Sequence, residues 1–203
     1  LFVRSLEQFI CITQDYCGAV KTFQGYYFLD RSRMPPGQFT RFMVAIANNS
    51  ELSRDLSQTN QTKWLKPGQQ DKDAALKLEQ LLNCYNDLKE TASNILLDEV
   101  FLDIQNNFNE DIGTVVSTLA DYFVDYSHLR ENIFEGFTAQ AQDRVAIAYM
   151  NALLQPGKKI TFENGDERAK MGKRIARESE QLQDFFRSVA GDTADFDSPF
   201  KAI

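Results

Sequence analysis

Proline and glycine are scarce in this chain, five and ten among 203 residues. Most of them fall in short clusters at 34–37, 66–68, 109–113, 155–157 and 164–165. Both residues interrupt helices, so the stretches between clusters are long and unbroken. Each stretch carries a helical period. Phe2, Leu6, Phe9, Thr13, Tyr16, Val20, Phe23 and Tyr27 recur every four or three residues, which predicts a first helix of about seven turns. Pro35 and Pro36 close it, and a second helix begins near Gln38 with Phe39, Phe42, Met43, Ile46, Leu52 and Leu56. The polar stretch 60–70, with Pro67 and Gly68, reads as a loop. The third segment is the most regular. Ala74, Leu78, Leu81, Tyr85, Leu88, Ala92, Ile95 and Leu102 keep a four–three spacing with one break, at Glu99. That is about four heptads, as in a coiled coil, and a helix of about 50 Å.

After a turn at 106–109, a fourth helix carries Ile112, Val115, Leu119, Phe123 and Tyr126. A fifth carries Phe134, Phe137, Ala141, Val145, Ala148 and Ala152 and stops at Pro156. Asn164 and Glu167 are spaced as a capping box for a sixth, which carries Met171, Ile175, Leu182, Phe185 and Val189. No stretch alternates as a strand does. The pattern predicts an all-α chain, an elongated stack of antiparallel helix bundles of the helical-rod type. Sub-bundles are expected at 1–108 and 109–190, with a loose tail over 191–203. No fixed-period repeat points to a solenoid. No apolar run approaches the ~18–20 residues of a membrane span, and no signal peptide is visible. Leu1 falls inside an amphipathic pattern, as expected of a fragment of a longer rod. Cys11 and Cys17 lie on different faces of one helix, and with Cys84 they read as three reduced thiols in a reducing compartment.

Chemistry-bearing motifs are missing. The lone His128 is too few for two-histidine zinc or di-iron sites and sits at a helix end, where an imidazolium suits the dipole. Asp121 and Asp125 can share a helix face, but no third carboxylate cluster accompanies them, so a solvated face is the better reading. Cys84, between Leu81 and Leu88, reads as a small buried apolar residue. These features predict no enzyme, no metal and no cofactor. The net charge of −7 and a pI near 4.8 argue against nucleic acid as partner. The charge is uneven: residues 86–143 hold twelve acids against two bases, whereas 158–177 hold seven bases against three acids. Lys170, Lys173, Arg174 and Arg177 fall on one stripe of the sixth helix. The stripe reads first as the solvated side of an amphipathic helix, and alternatively as a dock for acidic lipid headgroups or an acidic partner. Trp64, the single tryptophan, lies in the polar loop between Lys63 and Lys66. It either folds back on its own bundle or anchors a partner.

Two stretches resemble a known family. Residues 39–50, FTRFMVAIANNS, resemble the signature helix of exocyst complex component three and its relatives, an aromatic–Met–aliphatic–Ala–aliphatic run followed by asparagines. Here these are Phe42, Met43, Val44, Ala45 and Ile46, then Asn48 and Asn49. Residues 145–186 resemble the family's Tyr-Met-x-x-Leu-Leu-Gln … Arg-Glu-x-Glu-Gln-Leu segment. It is carried by Tyr149, Met150, Leu153, Leu154 and Gln155, then Ile160, Phe162, Glu167 and Arg168, then Arg177, Glu178, Glu180, Gln181, Leu182, Phe185 and Phe186. Pro156, Gly157 and Lys158 depart from that pattern. The resemblance implies a non-catalytic scaffold segment of a vesicle-tethering subunit acting in exocytosis, cytoplasmic and peripheral to the plasma membrane. The implied partners are other exocyst subunits and SNAREs or SNARE regulators. In an alternative reading, a membrane-remodelling relative of the same family meets a phosphoinositide surface through the basic sixth helix. No site residue is carried over from the family.

Overall fold

The four–three apolar spacings become helices because each buries one stripe against its neighbours. The computed structural model describes residues 2–64, 72–154, 165–191 and 199–202. Among the described residues there is no strand. The six α-helices are α1 (Phe2–Leu29), α2 (Gln38–Trp64), α3 (Lys72–Ile104), α4 (Ile112–Tyr126), α5 (Glu131–Leu154) and α6 (Gly165–Ala190). The all-α expectation holds, and α2 starts at the expected Gln38. α1 ends at Leu29, six residues before Pro35, and Asp30 turns the chain into a short 3-10 segment, accepting from the Ser32 amide and pairing with Arg33 at 2.9 Å. Gly37 follows with φ 71°, a conformation glycine adopts without strain.

Trp64 corrects an expectation. It lies in the last turn of α2 rather than in a loop. The polar stretch from Asn60 to Lys63 contains no breaker, and Asn60 Nδ2 donates to the Leu56 carbonyl at 2.8 Å along the helix. Polarity alone does not end a helix. The side chain of Trp64 lies outside the described residues, as does Asn164 of the expected capping box. Most of the expected tail, 192–198, also lies outside them. Beyond it, Phe200 is buried and faces Phe186 at 6.0 Å.

The chain divides into two compact units, one of Leu1–Glu99 with His128–Arg130, the other of Val100–Ser127 with Glu131–Ile203. In the first, α1 and α3 run parallel. Glu7 meets Lys77, Cys17 meets Thr91, Gln24 meets Asp98 and Tyr27 meets Glu99, an offset of 70 to 74 positions throughout. α2 runs antiparallel to both: Phe39 and Phe42 meet Phe23 of α1, while Thr40 meets Glu99 and Glu51 meets Lys89 of α3. This is the up-down-up order that short links between successive helices produce. Leu6 and Ile10 pack on Leu78, Leu81 and the buried Cys84. At the opposite end Tyr27 stacks on Phe39, ring centroids 3.7 Å apart.

Glu99 breaks the apolar spacing of α3 and is nevertheless only 3% exposed. Tyr27 Oη of α1 and Thr40 Oγ1 of α2 each donate to its carboxylate at 2.9 Å. One side chain thus joins all three helices. Glu51 of α2 is buried likewise, with Lys89 Nζ at 3.0 Å and Arg54 at 3.1 Å. The Asn48 side chain pairs with the backbone of the 128–130 segment: Nδ2 donates to the His128 carbonyl and Oδ1 accepts from the Arg130 amide, both at 2.8 Å.

The second unit is organised around Phe123 of α4. Its ring meets Phe134 and Phe137 of α5 and Phe185 and Phe186 of α6, at centroid distances between 5.4 and 6.2 Å. Asp111 caps α4, accepting from the Gly113 and Thr114 amides. Gly191, with φ 75°, closes α6.

Removing the Glu99 carboxylate takes an acceptor from two hydroxyl groups at once. Glu99→Ala is expected to lower stability by about 2–3 kcal/mol in urea denaturation. Glu90→Ala, on the exposed side of the same helix, is expected to stay within about 0.5 kcal/mol.

Candidate docking surface

The basic stripe expected on the sixth helix lies on α6, whose first three turns, 165–177, hold no buried residue. Burial begins at Glu178 and continues through Ser179, Leu182, Phe185 and Phe186. Lys170, Lys173 and Arg177 lie on the exposed side and share a face by their spacing of three and four. Arg174 does not join them in the same way. Its guanidinium turns to Glu178, Nε donating to the carboxylate at 2.7 Å. Glu178 is itself buried, and its other oxygen accepts from Tyr149 Oη of α5 at 2.9 Å.

The charges are consistent with this geometry. Burial, and then the hydrogen bond to the Glu178 carboxylate, push the Tyr149 hydroxyl far above its ordinary value. Hydrogen bonding to Glu178, reinforced by that anion's field, raises Arg174. Arg174 therefore serves first to balance a buried carboxylate, and three exposed cations remain on the stripe. Trp64 belongs to the first unit.

Among the described residues, no group of three or more His, Cys, Asp or Glu is placed to hold a metal ion. Asp121 lies on the exposed side of α4, and His128 is exposed just past its end. Also among the described residues, no helix is long and apolar enough to cross a membrane. The three cysteines are free thiols, Cys11 exposed and Cys84 buried.

The buried glutamates escaped the sequence reading, although a signal was present. Glu99 occupies the slot where the apolar spacing of α3 breaks. Glu178 lies between Ile175 and Leu182 on the apolar stripe of α6, and Glu51 follows Thr40, Val44 and Ala47 along a buried ridge of α2. A carboxylate in a core slot needs a partner, and the helical register names the slot but not the partner.

These features define a class: an all-α helical-bundle protein whose buried charges hold helices in register. Comparison with known proteins gives the particular family. The chain belongs to the Exocyst complex component Sec6 family, whose model matches residues 1–203. It is 30% identical over 213 aligned positions to "Exocyst complex component 3" of Drosophila melanogaster, covering 99% of this chain and 28% of that protein. It is 24% identical over 218 positions to "Exocyst complex component 3" of Caenorhabditis elegans, covering 92% of this chain and 27% of that protein. The chain thus spans a little over a quarter of the length of these relatives. No solved structure matches it. Tyr149 and Glu178, from the two halves of the segment that carries the resemblance, are hydrogen-bonded to each other, and Asn48 of the signature helix holds the 128–130 backbone.

Two measurements separate a structural arginine from a surface lysine. Arg174→Ala is expected to cost about 1–2 kcal/mol, since it leaves Glu178 buried beside a tyrosine alone, whereas Lys173→Ala is expected to cost less than about 0.5 kcal/mol in the same urea titration. A raised folded-state value for Tyr149 means that its contribution to stability is full below pH 10.0 and is lost as pH rises further. The melting temperature is therefore expected to fall above pH 10.0, and Tyr149→Phe to flatten that fall.

Proposed function

We propose that this chain is a non-catalytic scaffold segment of an exocyst-type vesicle-tethering subunit, binding other exocyst subunits and the fusion machinery during exocytosis. The observation that carries the proposal is the family membership over the whole chain. The use made of its buried polar groups supports it. Glu51, Glu99 and Glu178 are each engaged by groups on neighbouring turns or helices, an arrangement that stiffens a bundle. SNAREs or SNARE regulators are the fusion partners in this reading, and the site of action is the cytoplasmic side of the plasma membrane at exocytic sites. No cofactor is required.

A second reading has one favouring observation. Lys170, Lys173 and Arg177 are exposed on one face of α6 after Arg174 has been taken up by Glu178. A phosphoinositide surface would be met by those three cations, each contributing on the order of 1 kcal/mol near an anionic membrane.

One experiment addresses both. The tagged chain is used to capture purified exocyst subunits and plasma-membrane SNAREs at low and high salt, and in parallel is floated with phosphoinositide vesicles. Capture of a subunit or SNARE is the expected result, and no capture at either salt would remove the scaffold reading. Flotation that is lost in Lys170→Glu/Lys173→Glu/Arg177→Glu would favour the membrane reading, and wild-type chain that never floats would end it.

A further inference from the structure

We propose that the seam between α1 and α2 in the first unit is a docking groove for an amphipathic helix with acidic residues beside its apolar stripe. The inference rests on the scaffold reading and assigns one of its binding surfaces. Toward the C-terminal end of α1 the seam is closed by Phe23 against Phe39 and Phe42 and by Tyr27 on Phe39. Away from those contacts it opens into a groove of about 270 Å³. Ile12 and Tyr16 form one wall, Phe42 and Asn49 the other, and Tyr85 and Leu88 of α3 the floor.

Both walls carry apolar residues that stay substantially exposed among the described residues. On α1 these are Phe9, Ile12 and Tyr16, at 54%, 63% and 43% exposure, spaced three and four apart. On α2, Phe42, Leu52 and Leu56 are 44%, 45% and 54% exposed. Contiguous exposed apolar surface of this kind marks an interaction site more often than scattered single residues do. Two antiparallel helices with a third beneath them present ridges that a further helix fills, and such grooves are read by apolar residues at i, i+3, i+4 and i+7.

Charge selects the occupant. On α2, Arg41, Leu52 and Lys63 recur every eleven residues, three turns apart, so two exposed cations bracket the apolar stripe. On α1, Arg4 and Asp15 stand at the same spacing and offset each other. The rim is therefore net positive on a chain whose net charge is −7. An acidic flank meets Arg41 and Lys63, and a basic flank is repelled.

The test uses a labelled helical peptide of about 18 residues, with leucines at alternating three- and four-residue spacing and glutamates beside them. Its controls are the same composition shuffled and a version with lysine for glutamate. The 203-residue chain is expected to bind the glutamate peptide saturably and each control at least about tenfold more weakly. Ile12→Asp and Leu56→Asp, at exposed positions, are each expected to weaken binding about tenfold with helicity and melting temperature unchanged. Arg41→Gln with Lys63→Gln is expected to abolish the salt dependence, while Lys173→Gln on α6 leaves binding intact. Absence of saturable binding, equal binding of the shuffled peptide, or full binding by Ile12→Asp overturns the proposal. Concentration-dependent dimerisation of the chain that Ile12→Asp abolishes also overturns it, by giving the groove to a second copy. Failure here with successful capture of exocyst subunits leaves the scaffold reading standing and removes only the groove.

Discussion

A buried carboxylate tolerates very few environments, and Glu99 has one built from three helices. Tyr27 of α1 and Thr40 of α2 both donate to it on α3. Apolar stripes with a four–three spacing are nearly periodic, so a slip of one heptad returns leucines to leucine-sized holes. The same slip would move Glu99 away from both hydroxyl groups and leave a charge unsatisfied, at a cost of several kcal/mol. The glutamate therefore selects the register. The constant offset between α1 and α3, from Glu7–Lys77 at one end to Tyr27–Glu99 at the other, is the visible result.

The same device recurs with different chemistry. Glu51 is balanced by Lys89 across the α2–α3 contact and by Arg54 on its own helix. Glu178 is held by Tyr149 across the α5–α6 contact and by Arg174 one turn earlier. Aromatic packing supplies shape where the glutamates supply register. Phe123 meets rings from α5 and α6 in mostly edge-on and tilted geometry, the arrangement favoured by ring quadrupoles. Arg144 lies 4.3 Å over the Phe101 ring in the same unit, so part of that unit's basic charge is likewise drawn into packing.

This division of labour shapes the functional reading. Charged residues in a helical protein are easily taken for a binding surface, and on α6 the count falls from four to three once Arg174 is seen to serve Glu178. Asparagines in the signature helix behave likewise. Asn48 is committed to the backbone of 128–130, while Asn49 lines the open seam. Residues that carry the family resemblance thus include several whose contacts are internal. The two partner surfaces proposed, the apolar seam of the first unit and the cationic face of α6, are chemically unlike each other.

The sequence by itself determined the helical class, the order of six helices and the Sec6-family likeness, because proline, glycine and apolar spacing act locally along the chain. It set the start of α2 at Gln38 and the burial of Cys84. It erred at Trp64, where a polar stretch stays helical because nothing in it breaks the hydrogen-bond ladder. Tertiary structure alone decided the roles of Glu51, Glu99, Glu178 and Arg174 and the opening between α1 and α2. Each depends on groups far apart in the chain, such as Tyr27 and Glu99, 72 positions distant. Periodicity shows that a slot faces inward; only the packing of other helices shows what waits there.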